Sequence, residues 1–152
     1  MQSSKILVRF LYALFAAMLI AGPAAAGEKA LMHCFAFTVI ESASDADWQA
    51  FQKATDALPG KISGLTRVWH GKLRAPLAQY TTDGATRKKL GAGEKDVAGP
   101  VNRLNRQYGV CMEMQDEAAL KRYATDPAHA EWVKAYEKVR VAGTTTFDIL
   151  GQ

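Results

Sequence analysis

The sequence predicts an α+β domain in which helices cover one face of an antiparallel sheet. Three observations predict this class. Four short runs rich in aromatic and β-branched residues have the length of strands. Two stretches with apolar residues at helical spacing lie between them, and a good capping residue precedes each. The length of 152 residues suits one domain that follows a short leader.

The first predicted strand covers residues 32–40, where aromatic and β-branched side chains dominate. Side chains alternate across a strand, so His33, Phe35 and Phe37 share one face. Cys34 falls on the other face. This strand therefore has one aromatic face and one face of smaller residues.

A helix and a second strand follow. Ser44 with Asp47 three residues later resembles a capping box, which starts a helix. Pro59 with the glycine after it ends the helix. Residues 65–70 are predicted to form the second strand, and we expect His70, at its end, to be exposed.

The second half of the domain repeats the pattern. Residues 108–114 are predicted to be the third strand. Asp116 caps a short helix, and Asp126 followed by Pro127 starts a new one, because Pro is favoured at the first helical position. Residues 144–150 form the last predicted strand. The order is βαββαβ, the ferredoxin-like arrangement with an antiparallel sheet.

Residues 72–107 are predicted to be a long basic loop. They show little periodicity, include Pro76 and Pro100, and carry eight basic residues against three acidic ones. A connection of this length is unusual within a compact domain. A solvated surface loop, a flap over a site and a patch for an anionic partner are the alternatives. The mature chain as a whole is only weakly basic, which argues against a nucleic-acid partner.

The first 26 residues are predicted to be a cleavable signal peptide, with the domain at 27–152. Lys5 and Arg9 precede an apolar run over residues 10–21, and small residues at 24–26 form a cleavage site. The run is shorter than the roughly 20 residues that span a bilayer. We expect an exported protein, periplasmic or secreted, with no stable membrane anchor after cleavage. An uncleaved N-terminal anchor is the alternative.

Two cysteines remain in the domain, Cys34 and Cys111. Export takes a chain to an oxidising compartment, where a disulfide is permitted. The first and third strands are central neighbours in a ferredoxin-like sheet, and both cysteines are expected on its helix-facing side. A disulfide and two buried free thiols are the alternatives. Neither a C-x-x-C motif nor spaced His ligands are present in the sequence, so we predict no metal site.

The predicted sheet has a second face that needs a cover. We expect Phe35 and Phe37 to lie on it, and leaving two aromatic rings in water costs about 25 cal/mol per Å² of apolar area. A second copy of the same sheet is the simplest cover. The sequence therefore predicts a homodimer through the face that bears these two residues.

Several of these residues resemble a known family. The first strand begins with His33, a Tyr-x-x-x-Pro-x-His segment runs from Tyr123 to His129, an apolar position follows at Trp132, and Asp148 lies in the last strand. This pattern is similar to the stress-responsive A/B barrel (Dabb) family of the dimeric α+β barrel superfamily. The resemblance covers the mature chain except for about 72–107, where members usually have a shorter connection.

The resemblance implies a homodimer whose two sheets pack into a barrel, and it implies a site. A plant member closes polyketide rings with the His of that segment as acid–base group and the Tyr as its partner, which implies catalytic roles for His129 and Tyr123. The helix N-terminus is expected to keep His129 neutral. The ligand-binding residues we expect are His33, Phe35, Phe37 and Trp132, with no cofactor.

Three functions are compatible with this sequence. The first is a dimeric barrel that binds a small apolar molecule. The second is an acid–base enzyme of the polyketide cyclase or lyase kind that uses His129 and Tyr123. The third is a surface-interaction protein that works through the basic loop. A cavity that holds His129, Tyr123 and His33 together would favour the enzyme. Purely structural roles for Tyr123 and His129 are the alternative to a site.

Overall fold

The computed structural model describes residues 29–152, so the predicted signal peptide lies outside the described residues. A short 3₁₀ turn, Leu58–Gly60, follows the first helix. No helix within this part of the chain is long and apolar enough to cross a membrane. In chain order, the helices and strands are β1 (Leu31–Val39), α1 (Asp45–Asp56), β2 (Leu65–Thr82), α2 (Gly84–Gly91), β3 (Val101–Met114), α3 (Glu117–Thr125), α4 (Pro127–Tyr136) and β4 (Arg140–Leu150).

The four strands form one antiparallel sheet in the order β2-β3-β1-β4. The first and third strands are therefore the central pair, as the sequence predicts. Helices α1, α3 and α4 lie on one face of the sheet, and the aromatic core lies between them and the strands. The predicted ferredoxin-like α+β fold is confirmed, with α2 as an addition between β2 and β3.

The helices begin where their capping residues predict. The Ser44 hydroxyl accepts from the backbone N–H of Asp47, and the Asp47 carboxylate accepts from the N–H of Ser44, which completes the capping box. Asp116 and Asp126 each accept a backbone N–H from the first turn of α3 and α4. The break between α3 and α4 therefore has a local cause in the Asp126-Pro127 pair.

Residues 72–107 are not a loop, so that prediction was wrong. β2 continues to Thr82 and β3 begins at Val101. The two strands pair with each other beyond the point where β3 stops pairing with β1. Pro76 falls where the register shifts, which allows a residue without an N–H to stay in the strand. We call residues 73–106 the hairpin arm; α2 forms its tip.

One basic residue of the hairpin arm is buried. Arg106 is 3% exposed and has no carboxylate partner among the described residues. Its guanidinium donates to the hydroxyls of Thr38 and Thr145, the side-chain oxygen of Gln79 and the carbonyl of Gly143. These bonds tie the base of the arm to β1 and β4.

Phe35 and Phe37 lie under the helices, not on the open face of the sheet. Phe37 is 0% exposed and its ring contacts those of Phe51, Tyr108 and Tyr136. The prediction of a dimer through this face was therefore wrong. Alternation defines the two faces of a strand but not which one the helices cover, and the helices cover the more apolar one. A charge at Phe37 would disrupt the monomer's core.

The open face of the sheet carries the opposite set of residues. Cys34 and Cys111 lie there, so the prediction that they face the helices was also wrong. Trp69 is 43% exposed on this face, beside Phe147 at 49% and Ile149 at 54%. The open face is thus apolar and uncovered in the single chain.

His70 is more enclosed than the sequence suggests. Its Nε2 donates to Asp56 at 2.9 Å, and its Nδ1 accepts from the Tyr108 hydroxyl at 2.9 Å. Its side chain is 14% exposed, so the expectation of an exposed histidine was wrong. The contacts join α1 to the sheet, which is a structural role.

Cys34 and Cys111 form a disulfide between the two central strands. The bond links residues 77 positions apart, and a crosslink closing a loop of this length stabilises a protein by about 4 kcal/mol in the chain-entropy description.

Replacing both cysteines, Cys34→Ala with Cys111→Ala, is therefore expected to lower the free energy of unfolding by about 4 kcal/mol, measured by urea denaturation. Thiol labelling of the denatured, unreduced wild type serves as the control and is expected to find no free thiol. Two labelled thiols, or an unchanged unfolding midpoint in the double variant, would contradict the bond's role.

Candidate functional site

A cavity of about 470 Å³ opens between the sheet and the helices α3 and α4. We call it the site cavity. Strands β1 and β4 supply one wall and the two helices supply the other. Its lining residues are His33, Phe35, Leu120, Tyr123, Ala124, His129, Trp132, Val133, Tyr136, Arg140, Thr144 and Thr146.

Tyr123 and His129 meet across the break between α3 and α4. Tyr123 is near the end of α3, and His129 is the third residue of α4. The kink at Asp126 turns the second helix so that the two rings lie 4.3 Å apart between centroids. The structure thus brings together the two residues that the sequence places in the site.

His33 reaches the same cavity from β1. Its ring lies 5.8 Å from that of Tyr123, and its Nδ1 donates to the carboxylate of Asp148 at 2.7 Å. Register explains the pair, because His33 and Asp148 are directly opposite on β1 and β4. An imidazole whose Nδ1–H is held by a carboxylate presents Nε2 as an acceptor in its neutral form.

The local environment determines which protonation states the site favours. Burial is the main cause that lowers the pKa of His129, and the nearby His33 acts in the same direction. The Ala124 backbone and Asp126 oppose the shift. Burial also raises the pKa of Tyr123 well above its usual range. Near neutral pH the cavity therefore holds a neutral imidazole, which can accept a proton, and a neutral phenol, which can donate a hydrogen bond.

The apolar wall consists of Phe35 and Trp132, together with Leu120 and Val133. Trp132 stacks on His129 with centroids 5.6 Å apart and donates from Nε1 to the Thr55 hydroxyl at 2.9 Å. Trp132 therefore has a fixed orientation. Phe37, which the sequence also assigns to ligand binding, lies deeper in the core and does not line the cavity.

The far end of the cavity is polar. Tyr136 and Arg140 lie there with Thr144 and Thr146. The guanidinium of Arg140 lies 4.5 Å from the centroid of the Tyr136 ring. Burial raises the pKa of Tyr136 to about 12, although the charge of Arg140, a hydrogen bond with Thr144 and the charge of Arg106 act in the opposite direction. This end of the cavity therefore carries positive charge from arginine, while burial keeps the Tyr136 phenol neutral.

Sequence reasoning missed some of these residues. Asp148 supports the family resemblance, but its contact with His33 depends on strand register, which no local pattern reveals. No sequence motif identifies Tyr136 or Arg140 as site residues. Among residues 29–152, no group of three or more His, Cys, Asp or Glu side chains is placed to hold a metal ion.

Comparison with known proteins identifies the fold. No family model matches the sequence, and no curated protein matches it. Among solved structures, a Dabb family protein with a ferredoxin-like fold from Mesorhizobium loti shares 15% identity, with a TM-score of 0.52 over 82% of this chain and 99% of that one. The fold of this chain is thus the fold of a Dabb protein, in agreement with the resemblance drawn from its residues.

Two further structures are similar. A dimeric protein of unknown function with a ferredoxin-like fold from Bacteroides fragilis shares 16% identity, with a TM-score of 0.52 over 82% of this chain and 98% of that one. A hydroxynitrile lyase from Passiflora edulis shares 10% identity, with a TM-score of 0.55 over 82% of this chain and 94% of that one. Proteins with this fold therefore include a dimer and an enzyme.

Proposed function

We propose that this chain, which has the fold of a Dabb protein, is an exported homodimeric enzyme that moves a proton on a small molecule held in the site cavity. The observation that carries the proposal is the convergence of His129, Tyr123 and the His33–Asp148 pair on one cavity. Packing alone does not require three ionisable rings to line one cavity.

The roles follow from the protonation states. Neutral His129 is the general base, which takes a proton from a carbon beside a carbonyl or from a hydroxyl group. The Tyr123 hydroxyl donates a hydrogen bond to the oxygen on which negative charge develops. Both products of this step, an imidazolium and an enolate, stay within the cavity until the proton is returned at another atom.

His33 is the second acid–base group. Its Nδ1–H is held by Asp148, so Nε2 can accept or return a proton at a second atom of the ligand. Two imidazoles that line one cavity suit isomerisation, aldol-type cyclisation or cleavage, each of which removes a proton at one atom and supplies one at another.

The homodimer is proposed through the open face of the sheet. Phe147, Ile149 and Trp69 expose large apolar area there. Leu73 and Leu77 of the hairpin arm border the same face. The similar structure described as dimeric supports a second copy as the cover of this face. A dimer built this way leaves the site cavity, on the helix side of each sheet, accessible.

Export rests on the predicted signal peptide. We expect the mature protein to begin near Gly27, because the small residues before it form the cleavage site. Intact-mass measurement on protein recovered from a native export pathway tests this expectation. A mass that still includes the first 26 residues would contradict it, whereas a shift of the start by one or two residues would not.

Solvent exchange tests the proposed reaction directly. Small ketones, β-keto acids, β-keto esters and the cyanohydrin mandelonitrile are incubated with the protein in D₂O, and proton NMR follows loss of the proton beside the carbonyl and cleavage of the cyanohydrin. We expect catalysed exchange or cleavage with at least one of these classes. Retention of a ligand without exchange or cleavage of any of them would instead indicate a binding protein.

A further inference from the structure

We propose that the ligand of the site cavity carries a carboxylate, which Arg140 and Tyr136 bind at the polar end. This inference rests on the proposed function, because it concerns the ligand on which His129 acts. It specifies a chemical class, a small carboxylic acid with an apolar body, that neither the fold nor the His–Tyr pair indicates.

The first observation concerns hydrogen bonds. Within residues 29–152, the Tyr136 hydroxyl and the Nε of Arg140 are buried and have no partner of good hydrogen-bond geometry. Tyr136 has a weak hydrogen-bonding contact with the side chain of Thr144. Both residues line the site cavity. A buried donor without an acceptor is energetically unfavourable. Unsatisfied donors at one end of a cavity suit an acceptor supplied by the ligand. Neither atom is exposed in the free chain, so the Arg140 side chain must turn toward the cavity for a carboxylate to reach its Nε.

The second observation concerns charge. The nearest carboxylate to Arg140 is that of Glu137 at 3.7 Å, on a side chain that is 62% exposed. An exposed pair at this distance contributes little, and it leaves the Nε unpaired. Arg106 adds a second positive charge near the Tyr136 hydroxyl. The polar end of the cavity therefore has cations without a matching buried anion.

The third observation concerns shape. A guanidinium presents its N–H groups in a planar fork that matches the two oxygens of a carboxylate. The Arg140 guanidinium packs over the ring of Tyr136, which limits its orientation. Thr144 offers a further hydroxyl beside it. The apolar body of the acid would then lie along Phe35 and Trp132, with its reacting carbon toward His129.

Matched acids and amides test this inference without knowledge of the natural ligand. Benzoate, cinnamate, hexanoate and 1-naphthoate are compared with their primary amides by isothermal titration calorimetry and by NMR shifts of the Trp132 indole. We expect at least one acid to bind about tenfold more tightly than its amide. Arg140→Gln should remove that preference and leave the affinity for the amide unchanged.

Three variants provide the controls. Arg74→Gln removes an exposed arginine of the hairpin arm and should leave the preference intact. Tyr136→Phe keeps the ring that packs against Arg140 but removes the hydroxyl, so it should reduce the preference only in part. Arg140→Lys keeps the positive charge but lacks the planar N–H groups of the guanidinium, so it should retain only part of the preference for acids.

Failure of this inference is distinguishable from failure of the proposed function. If the acids bind no better than their amides, or if Arg140→Gln keeps the preference, the carboxylate subsite is wrong, whatever the exchange assay shows. If the preference is present and depends on Arg140 but no class of compound undergoes exchange, the subsite stands and the enzyme proposal fails. His70→Gln, which lies outside the site cavity, should leave the preference for acids unchanged.

Discussion

His129→Gln is expected to lower the rate of proton exchange by about 100-fold or more, measured on whichever compound the wild type turns over fastest. A positioned acid–base group typically contributes 10²–10⁴-fold. Glutamine keeps a polar side chain of similar reach, and the half-buried position at the start of α4 tolerates it, so the fold should remain intact. Tyr123→Phe should give a smaller loss of rate, because the phenol stabilises the developing negative charge by a hydrogen bond but does not transfer the proton.

The pH dependence follows from the same site. Burial lowers the pKa of His129 below its ordinary value of 6.5. The neutral form, which is the base, therefore persists to lower pH than in a free imidazole, and the midpoint of the decline in rate should lie below pH 6.5. A rate that declines from above pH 7 would identify a base with a raised pKa and so exclude His129.

His70→Gln is the matched control for the exchange assay. It removes an imidazole that is also half-buried and hydrogen-bonded, but that lies outside the site cavity, between Asp56 and Tyr108. We expect the exchange rate of a folded His70 variant to stay within about twofold of the wild type. Equal losses in the His70 and His129 variants would mean that the effect is structural and that the proposed base is wrong.

Ile149→Asp is expected to convert the dimer into a monomer. Ile149 lies on the open face at 54% exposure, so the substitution is tolerated in a single chain. In a twofold dimer it would place two carboxylates in an apolar interface, which costs several kcal/mol because neither has a partner. Sedimentation velocity should show the dissociation constant rise by at least 100-fold.

Leu90→Asp is the matched control, because Leu90 is a similar aliphatic residue at 50% exposure on the hairpin arm, outside the open face. It should leave the oligomeric state unchanged. Phe37→Asp provides a contrast, since it should unfold the monomer and not merely separate two copies. A wild-type protein that is monomeric at micromolar concentration would refute the proposed dimer.

Local chemistry made much of the fold predictable from the sequence. The capping residues Ser44, Asp116 and Asp126 mark the starts of three helices, and all three begin there. The Tyr-x-x-x-Pro-x-His segment places Tyr123 and His129 across a kink because Asp and Pro determine the chain direction within a few residues. These signals act over short distances, so one sequence is enough to read them.

Pairing between distant residues explains the failures. The hairpin arm looks irregular because each of its strands is stabilised by the other, about 25 residues away. The two faces of the sheet were assigned wrongly for a similar reason, because the face that the helices cover is decided by packing between distant residues. Asp148 and Arg140 join the site through strand register and helix packing. Such contacts are not encoded in the residues next to them.

The disulfide between the central strands also has a consequence for strand alignment. Cys34 and Cys111 are directly opposite in the register of β1 and β3. A slip of either strand by one residue would turn its core side chains, Phe35 and Phe37 among them, toward the open face. Once formed, the disulfide prevents that slip. A chain that forms it in the native register can therefore lose structure in its helices and hairpin arm and still regain the correct alignment of β1 and β3. The crosslink would thus preserve the native pairing of β1 and β3 while the rest of the chain rearranges.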